Sequence, residues 1–211
     1  MNDKSPKKMA EFSATSTAQR MPCHDVAISS RIRLARNLAA TYFPARLDEE
    51  TRQHTWEHVR DGIVNGKLCP SAESYEMASL DKLDRLVLRE RNLISSELSE
   101  STVPGIGAVI SDENGLSIMV NEEDHLRLQI FGHGLQLQSI WPCLMEVERS
   151  MNRIFNFAYS DKLGYLSACP TNVGTGLRAS IMLHLPGLWL TEQLEKVHNA
   201  AAALGLSIRG A

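Results

Sequence analysis

Two apolar stretches separated by a turn signal constrain the fold of this chain most strongly. Residues 103–111 (VPGIGAVIS) and 115–122 (GLSIMVNE) are rich in the apolar and β-branched residues that favour strands. The Asp-Glu-Asn-Gly between them contains the Asn-Gly pair that is typical of a tight hairpin turn. The pattern therefore predicts two neighbouring antiparallel strands.

The patterns around this hairpin indicate the fold class. Apolar residues recur at helical spacing over residues 48–65, and again at Leu80, Leu83, Leu86 and Val87 within residues 80–93. Residues 28–39 begin with an apolar–polar alternation and then become helix-like. Later patterns predict helices over 143–158 and 191–205, the second capped by Thr191 and ended by Gly205. They also predict strands over 162–170, over 176–186 and from 206 onward. We therefore expect an α+β fold with a mainly antiparallel sheet flanked by helices.

The composition excludes several classes of protein. The 211 residues are 43% hydrophobic and 22% charged with a net charge of −3, a globular profile that does not indicate a nucleic-acid binder. No apolar run approaches the ~20 residues that a membrane-spanning helix needs. The N-terminus lacks the apolar segment of a secretory signal, and Cys23, Cys69, Cys143 and Cys169 show no CxxC spacing. We expect a cytoplasmic protein with free thiols, no nucleic-acid or membrane partner, and a flexible tail over residues 1–21.

Three consecutive carboxylates stand in the octapeptide VNEEDHLR, residues 120–127. Glu122, Glu123 and Asp124 repel one another, so their proximity requires a reason. They could form a solvated acidic turn, bind Mg²⁺, accept a proton or hold a cationic substrate. His125 lacks a second His or Cys at ligand spacing, so we do not expect a zinc centre.

Separated arginines accompany these carboxylates. Arg31 and Arg33 are two residues apart, so on an extended segment both side chains project to the same side. Two guanidinium groups on one side can clamp a phosphate, although alone they could equally form a surface basic patch. Together with Arg127 and Arg178 they suit a triphosphate, whose charge must be held during transfer.

A glycine-containing loop precedes Arg178 in CPTNVGTGLRAS, residues 169–180. Glycines allow backbone N–H groups to approach a phosphate closely. The loop is neither a Walker A sequence, because no Gly-Lys-Ser/Thr follows, nor a dinucleotide fingerprint, because the third glycine and the following helix are missing. Cys169 taken alone would be a small buried apolar residue.

Taken together, these motifs resemble the catalytic domain of the phosphagen (guanidino) kinases. The resemblance is carried by SSRIRLARN (29–37), VNEEDHLR and CPTNVGTGLRASIMLHLP (169–186), and runs from about residue 22 to the chain end. RNLISSEL (91–98) and IRG (208–210) are similar to the bacterial branch, the protein arginine kinases. The family's fold is the glutamine synthetase-like α+β fold.

The resemblance implies transfer of the γ-phosphoryl group of ATP, with Mg²⁺, to a guanidinium nitrogen of an arginine side chain in a protein. It assigns catalytic roles to Glu122, Glu123 and Cys169, and no metal ligand to any side chain. The nucleotide-binding positions that it implies are Ser29, Ser30, Arg31, Ile32, Arg33, Arg127, Arg178, Ala179, Ser180, Ile181, Met182 and Arg209.

The chemistry agrees with these roles. A guanidinium has a pKa above about 12, so it is a poor nucleophile until a proton is removed or its charge is redistributed. A carboxylate bonded to it in a dry site can orient it and accept the proton. A cationic acceptor would then relieve the repulsion among the carboxylates.

Some features depart from the family pattern. The chain stops at Ala211, before the family's closing loop with its Gly-Glu and before the region that dimerises and recognises phosphoarginine in the bacterial branch, and Asn92 stands where a nucleotide-contacting His is common. We therefore expect residues 22–211 to form a catalytic domain that is C-terminally incomplete, with weak or no kinase activity and weak ATP binding.

Several alternatives stay open. The chain could be a small-metabolite guanidino kinase, or a truncated inactive relative that binds nucleotide or arginine as a regulator. The resemblance further implies a protein quality-control system as partner and a homodimer as assembly.

Overall fold

A six-stranded antiparallel sheet forms the centre of the protein. The computed structural model describes residues 23, 25–66, 68–69, 71–111 and 115–209. The strands are β1 (Ala27–Arg36), β2 (Glu73–Glu76), β3 (Gly107–Ser111), β4 (Leu116–Val120), β5 (Leu126–His133), β6 (Tyr159–Ser160), β7 (Gly164–Tyr165) and β8 (Leu177–Leu183). Six of them lie in the order β2-β3-β4-β5-β1-β8, every neighbouring pair antiparallel, while β6 and β7 form a separate two-stranded sheet.

Helices lie on both faces of this sheet, so the predicted α+β fold is confirmed. They are α1 (Glu49–Val64), α2 (Lys82–Glu90), α3 (Ser96–Glu100), α4 (Leu137–Phe155), α5 (Pro186–Leu190) and α6 (Leu194–Ala203). The first begins at Asp48, whose carboxylate accepts a hydrogen bond from the Thr51 N–H and satisfies one free donor of the first turn. Among the described residues, no helix is both long and apolar enough to cross a bilayer.

One sheet face carries the larger core. Alternate residues of β1 and β5, such as Ile32 and Leu128, point to this face and are 3% and 0% exposed. They pack against the apolar sides of α1 and α4, including Trp56 and Leu144. Over β1 and β5 this face is therefore closed by helices.

The opposite face is divided into two parts. Over β2, β3 and β4 it carries a smaller core, in which Tyr75, Ile110 and Met119 pack against Leu88 of α2 and Leu98 of α3. Over β5, β1 and β8 the same face carries polar and charged side chains instead, which is where the predicted nucleotide-binding arginines lie.

Three predicted elements differ from the structure. Residues 28–39 do not become helical, because β1 pairs with β5 as far as Arg36. On its other side β1 pairs with β8 as far as Leu34, and the Ala35 N–H donates to the Gly176 carbonyl. The strand predicted over 162–170 is reduced to Gly164–Tyr165, followed by a 3₁₀ turn at Pro170–Asn172. Residues 206–209 form no strand, since they are exposed and none of the described strands pairs with them.

The helices predicted over 48–65, 80–93, 143–158 and 191–205 are correct in type and differ in extent. The predicted helix over 143–158 begins earlier, at Leu137, and contains Pro142 near its start. The helix predicted from Thr191 begins at Leu194. In α2 the predicted apolar stripe is wrong, since Leu83 is 56% exposed and Leu88 is fully buried. The predicted turn residues 112–114 and the predicted tail, residues 1–21, lie outside the described residues.

Candidate functional site

Strand register brings four arginines to one face of the sheet. Arg33 pairs directly with Arg178 across β1 and β8, and Arg31 pairs with Ser180. On the other side of β1, Arg127 of β5 pairs with Ala35, two residues beyond Arg33. Because directly paired residues of antiparallel strands point to the same face, all four guanidinium groups leave the sheet on its open side.

The electrostatics of these arginines indicate an anion site. Burial and, after it, the neighbouring cations Arg31, Arg178 and Arg127 lower the pKa of Arg33 to about 10, while Glu122 opposes them. The pKa of Arg31 is also lowered, by burial and then by Arg178 and Arg127. The Nε of Arg33 is buried with no hydrogen-bond partner in the described part of the chain. Clustered cations with an unsatisfied donor favour binding of a polyanion.

The remaining predicted nucleotide-binding residues divide between the two faces. The sheet face that carries the four arginines is called the arginine face, and it also carries Ser29, Ser180 and Met182. Four others point to the opposite face, so their side chains cannot meet a ligand beside the arginines: Ser30, Ile32, Ala179 and Ile181. Ser30, for example, donates from Oγ to the Gly134 carbonyl at 2.7 Å and accepts from the Gln136 N–H at 2.9 Å. Only the backbone of these four positions could contribute to binding on the arginine face.

Arg209 is not brought to this face by any element of the structure. It lies exposed in the irregular segment after α6, where the sequence predicts a strand. The strand that was to orient Arg209 does not form, and nucleotide binding by Arg209 stays a prediction.

A cavity of about 540 Å³ lies beside the arginine face, at the end of β4. Its lining comes from the acidic motif, from Arg127 of β5 and from the α3 region: Glu97, Leu98, Ser101, Ile106, Asn121, Glu122, Glu123 and Arg127. Three carboxylates and one guanidinium give the cavity a net negative lining. Such a cavity suits a cationic ligand.

Arg127 joins this acidic cavity to the arginine face. Its Nη1 lies 2.5 Å from Glu122 Oε2, and its Nη2 lies 3.4 Å from Glu123 Oε2. Burial raises the pKa of Glu122, and Arg127 acts against this rise. Arg127 therefore relieves part of the repulsion between Glu122 and Glu123. The sequence analysis expected a cationic acceptor to relieve this repulsion.

The third carboxylate of the motif has a structural environment. Asp124 is 1% exposed, and its Oδ1 accepts hydrogen bonds from Asn37 Nδ2 at 2.6 Å and from the Ala168 N–H at 2.7 Å. Ser167 Oγ also donates to this carboxylate, at 3.1 Å. Asp124 therefore ties the acidic motif to the segment that precedes Cys169, rather than facing the cavity.

Cys169 lies next to this tethered segment. Its Sγ is 3.0 Å from Thr171 Oγ1, and the thiol is partly exposed. It does not belong to the lining of the cavity that Glu122 and Glu123 share. The structure thus connects Cys169 to the acidic motif through Asp124 and does not place it against the two glutamates.

The glycine loop packs against its own chain. The Gly174 N–H and carbonyl pair with Tyr165, and the Gly176 carbonyl accepts from the Ala35 N–H at 2.9 Å. A Cβ at Gly176 would lie 2.6 Å from the Ala35 carbonyl oxygen, and its φ of +60° also favours glycine. Close packing against β1 therefore accounts for Gly176 without a phosphate.

Two residues of the cavity region were missed by the sequence analysis. Ser95 contacts Glu122, and Glu97 lines the cavity. The signal that could have found Ser95 is local, since a serine at the start of the short helix 96–100 is a typical N-cap. No local signal places Glu97 near Glu122, because that proximity arises from packing of α3 on the sheet.

This geometry defines a class of protein: an α+β domain that offers a cationic sheet face to a polyanion and, beside it, an acidic cavity to a cation. Residues 57–211 match the family model described as ATP:guanido phosphotransferase, C-terminal catalytic domain. The chain belongs to this family.

Curated relatives support the same assignment. The chain is 44% identical over 188 residues to a protein-arginine kinase of Caldanaerobacter subterraneus subsp. tengcongensis, covering 88% of this chain and 56% of the relative. It is 45% identical over 192 residues to the protein-arginine kinase of Symbiobacterium thermophilum, covering 90% and 54%. The chain therefore spans about half the length of the curated relatives that it matches.

Solved structures of the family share the fold. The substrate-free duplicated taurocyamine kinase from Schistosoma mansoni superposes with a TM-score of 0.69 at 25% identity, covering 78% of this chain and 24% of that one. A lombricine kinase gives a TM-score of 0.68 at 21% identity, covering 89% and 56%, and supports the fold alone.

Proposed function

We propose that this chain is the catalytic part of an ATP-dependent guanidino kinase that phosphorylates arginine side chains in proteins. The observation that carries the proposal is the position of Arg127, which belongs to the arginine face and also contacts both glutamates of the acidic cavity. A phosphoryl donor and a guanidinium acceptor must meet, and here an anion site and a cation site meet at one residue. Family membership implies the nucleotide, and the relatives named as protein-arginine kinases support the acceptor.

In this proposal the nucleotide lies on the arginine face. Arg31, Arg33 and Arg178 hold its phosphates through charge-assisted hydrogen bonds, and Arg127 stands closest to the acceptor. Phosphoryl transfer depends mainly on alignment and on neutralising charge, which such a cluster supplies.

Mg²⁺ enters as part of the nucleotide substrate. Among the described residues, no group of three or more His, Cys, Asp or Glu side chains could hold a metal ion. In this proposal Mg²⁺ is carried chiefly by the phosphates of the nucleotide, as is usual for this ion.

In the cavity, Glu122 orients the guanidinium and accepts its proton, and the more exposed Glu123 adds a second anionic contact. Glu122 is 8% exposed and Glu123 is 46% exposed, so the first is the better shielded base. Cys169 follows Ser167 and Ala168, which Asp124 holds, and it supplies a further contact only if this segment brings it to the acceptor.

The proposal extends to the setting of the protein. Residues 22–211 form the catalytic domain, and the protein works in the cytoplasm, where ATP is available and its four free cysteines stay reduced. A quality-control partner and a homodimer stay predictions.

Two measurements on the 211-residue chain test the proposal. ATP binding is measured calorimetrically with Mg²⁺ present, and phosphoryl transfer is measured by mass spectrometry with an arginine-rich protein, free arginine or creatine as acceptor. We expect Arg178→Ala to weaken ATP binding by roughly 10- to 150-fold, corresponding to about 1.5–3 kcal/mol for a lost charge-assisted contact. Glu122→Gln should instead reduce transfer to the protein by at least about 100-fold and leave ATP affinity within about twofold.

Matched controls come from α4, which packs on the closed face. Arg153→Ala and Glu146→Gln remove the same charges at exposed positions and should change neither measurement. Transfer to free arginine or creatine but not to the protein would favour a small-metabolite kinase. ATP binding that needs the arginines, with no transfer to any acceptor, would favour a binding regulator. Unchanged ATP binding in Arg178→Ala would show that the nucleotide lies elsewhere.

A further inference from the structure

Ser95, a residue of RNLISSEL (91–98) to which the sequence assigned no role in the site, contacts the buried Glu122. Ser95 precedes α3 as its N-cap, and its Oγ accepts a hydrogen bond from the Leu98 N–H at 3.0 Å. The same hydroxyl donates to Oε1 of Glu122. Because the Leu98 N–H occupies an acceptor position of the hydroxyl, the hydroxyl proton is free to point to the carboxylate.

The two oxygens of Glu122 are held from two different elements. Oε1 is held by Ser95 at the start of α3, and Oε2 lies 2.5 Å from Arg127 Nη1 on β5. A carboxylate that accepts a hydrogen bond at one oxygen and forms an ion pair at the other has little rotational freedom. Its remaining lone pairs are then directed by the scaffold rather than by solvent.

The segment that carries Ser95 is itself fixed to the sheet. Gln129 Nε2 donates to the Asn92 and Leu93 carbonyls at 2.8 and 3.0 Å, and Ser117 Oγ donates to the Leu93 carbonyl at 2.5 Å. Both Gln129 and Ser117 are buried on the sheet face that also carries the arginines. Ser95 is thus a rigid support, since its backbone is anchored two residues away.

We propose that Ser95 is a positioning residue, which fixes the carboxylate of Glu122 in its charged, acceptor-facing orientation through a hydroxyl that also caps α3. This inference rests on the proposed function, in which Glu122 contacts the guanidinium. Ser95 itself touches neither substrate.

The charges around Glu122 explain why such support is needed. Arg127 and Arg33 favour its ionised form, whereas Glu97 on α3 and Glu123 beside it oppose that form. Burial raises the pKa of Glu122, and the hydrogen bond from Ser95 lowers it. Loss of the hydroxyl should therefore make the carboxylate easier to protonate as well as more mobile.

Three variants of the full chain separate capping from positioning. Ser95→Gly removes the hydroxyl, yet glycine is tolerated at N-caps at little cost to stability. Ser95→Thr keeps both the cap and the donor. Asp48→Ala removes the cap of α1, which accepts from the Thr51 N–H, and serves as a control for a lost cap on a helix that does not line the cavity.

The first readout is the titration of Glu122 itself, which requires no catalysis. The chain is labelled with ¹³C-glutamate, and the Glu122 carboxyl signal is identified by its loss in Glu122→Gln. We expect its titration midpoint to move to higher pH in Ser95→Gly and to stay near wild type in Ser95→Thr and Asp48→Ala. An unmoved midpoint in a folded Ser95→Gly protein overturns the inference.

The second readout is phosphoryl transfer to an arginine-rich protein. We expect Ser95→Gly to lower kcat by about 10- to 100-fold with ATP affinity unchanged, and to move the acid limb of the pH profile in the same direction as the titration. Wild-type kcat in Ser95→Gly overturns the inference. If the titration midpoint moves in Ser95→Gly but neither the wild type nor any variant transfers phosphoryl groups, the proposed function is overturned. The contact between Ser95 and Glu122 is then still supported.

Discussion

Three adjacent carboxylates, Glu122, Glu123 and Asp124, reach three different environments within one turn. Glu122 is buried against Arg127, Glu123 is half-exposed, and Asp124 is enclosed by donors from Asn37 and the segment before Cys169. Their repulsion is therefore reduced by different means: an ion pair, solvent and neutral hydrogen-bond donors. A motif that reads as one acidic cluster thus contains two cavity residues and one structural residue.

His125, the next residue, provides a pH-dependent test of this packing. It is 0% exposed, its Nδ1 lies 2.9 Å from Asn37 Oδ1, and burial lowers its pKa to about 4, against the opposing effect of Asp124. An unfolded histidine has a pKa of about 6.5, so between these values the unfolded chain binds the proton more tightly. We expect the free energy of unfolding to fall by up to about 3 kcal/mol as the pH drops from 6.5 towards 4, with the full contribution present above 6.5.

Urea unfolding across this pH range measures the effect of His125. His125→Asn should lower stability at pH 7.5 and flatten the pH dependence between 6.5 and 4. His54→Gln, at an exposed position on α1, should leave the dependence unchanged. The same slope in His125→Asn as in wild type would assign the pH effect to other groups.

At the scale of elements, Arg36 forms a buried ion pair with Glu148 and also bonds the loop that contains Gly174 and Gly176. Arg36, at the end of β1, donates from Nε to Glu148 of α4 at 2.9 Å, and both side chains are 3% exposed. Its guanidinium carbon also lies 3.5 Å from the centre of the Tyr165 ring, and its Nη1 donates to the Thr175 carbonyl at 2.9 Å. One side chain thereby joins β1, α4, β7 and the loop before β8.

Removal of Glu148 should destabilise the fold, because it leaves the buried charge of Arg36 without its ion-pair partner. We expect Glu148→Ala to lower the free energy of unfolding by about 3–5 kcal/mol. Glu146→Ala, two residues away on the exposed side of the same helix, should change it by less than about 0.5 kcal/mol. Denaturant unfolding of both variants measures the difference, and equal stabilities would mean that Arg36 finds another partner.

At the scale of the whole molecule, burial is unevenly distributed along the chain. Helix α4 has five buried residues, whereas α5 and α6, which are both fully described, have none. Strand β8 pairs only with β1, and its apolar residues Leu177 and Ile181 are 42% and 38% exposed. The chain therefore contains a well-packed body, to which β8 is joined by its pairing with β1, and two C-terminal helices that bury no residue.

Hydrogen exchange should reveal these two levels of stability. We expect amides of β4, β5 and α4 to exchange only through global unfolding, and those of α5 and α6 to exchange at least about 100-fold faster, because few contacts oppose their local opening. Mass spectrometry of peptides from a native-state exchange series gives both rates, with α4 as the internal reference. Comparable protection in α6 and α4 would show that the C-terminal helices are packed more firmly than their exposure indicates.

The sequence by itself determined the elements whose signal is local. The hairpin strands β3 and β4, the capped helix α1 and the antiparallel α+β class follow from periodicity, and the family follows from short contiguous motifs. The same-side projection of Arg31 and Arg33 needs only the two-residue repeat of a strand. These features depend on neighbours along the chain, which a sequence displays directly.

The tertiary structure alone decided the features that depend on partners distant in sequence. β1 remains extended to Arg36 because β5 supplies its hydrogen bonds, while residues 206–209 form no strand because none of the described strands pairs with them. Asp124 leaves the cavity because its hydrogen-bond donors come from residues 37, 167 and 168, and Ser95 reaches Glu122 because its loop is anchored to β4 and β5. The position of a side chain in a site depends on which groups compete for it in space, and only the folded chain brings those groups together.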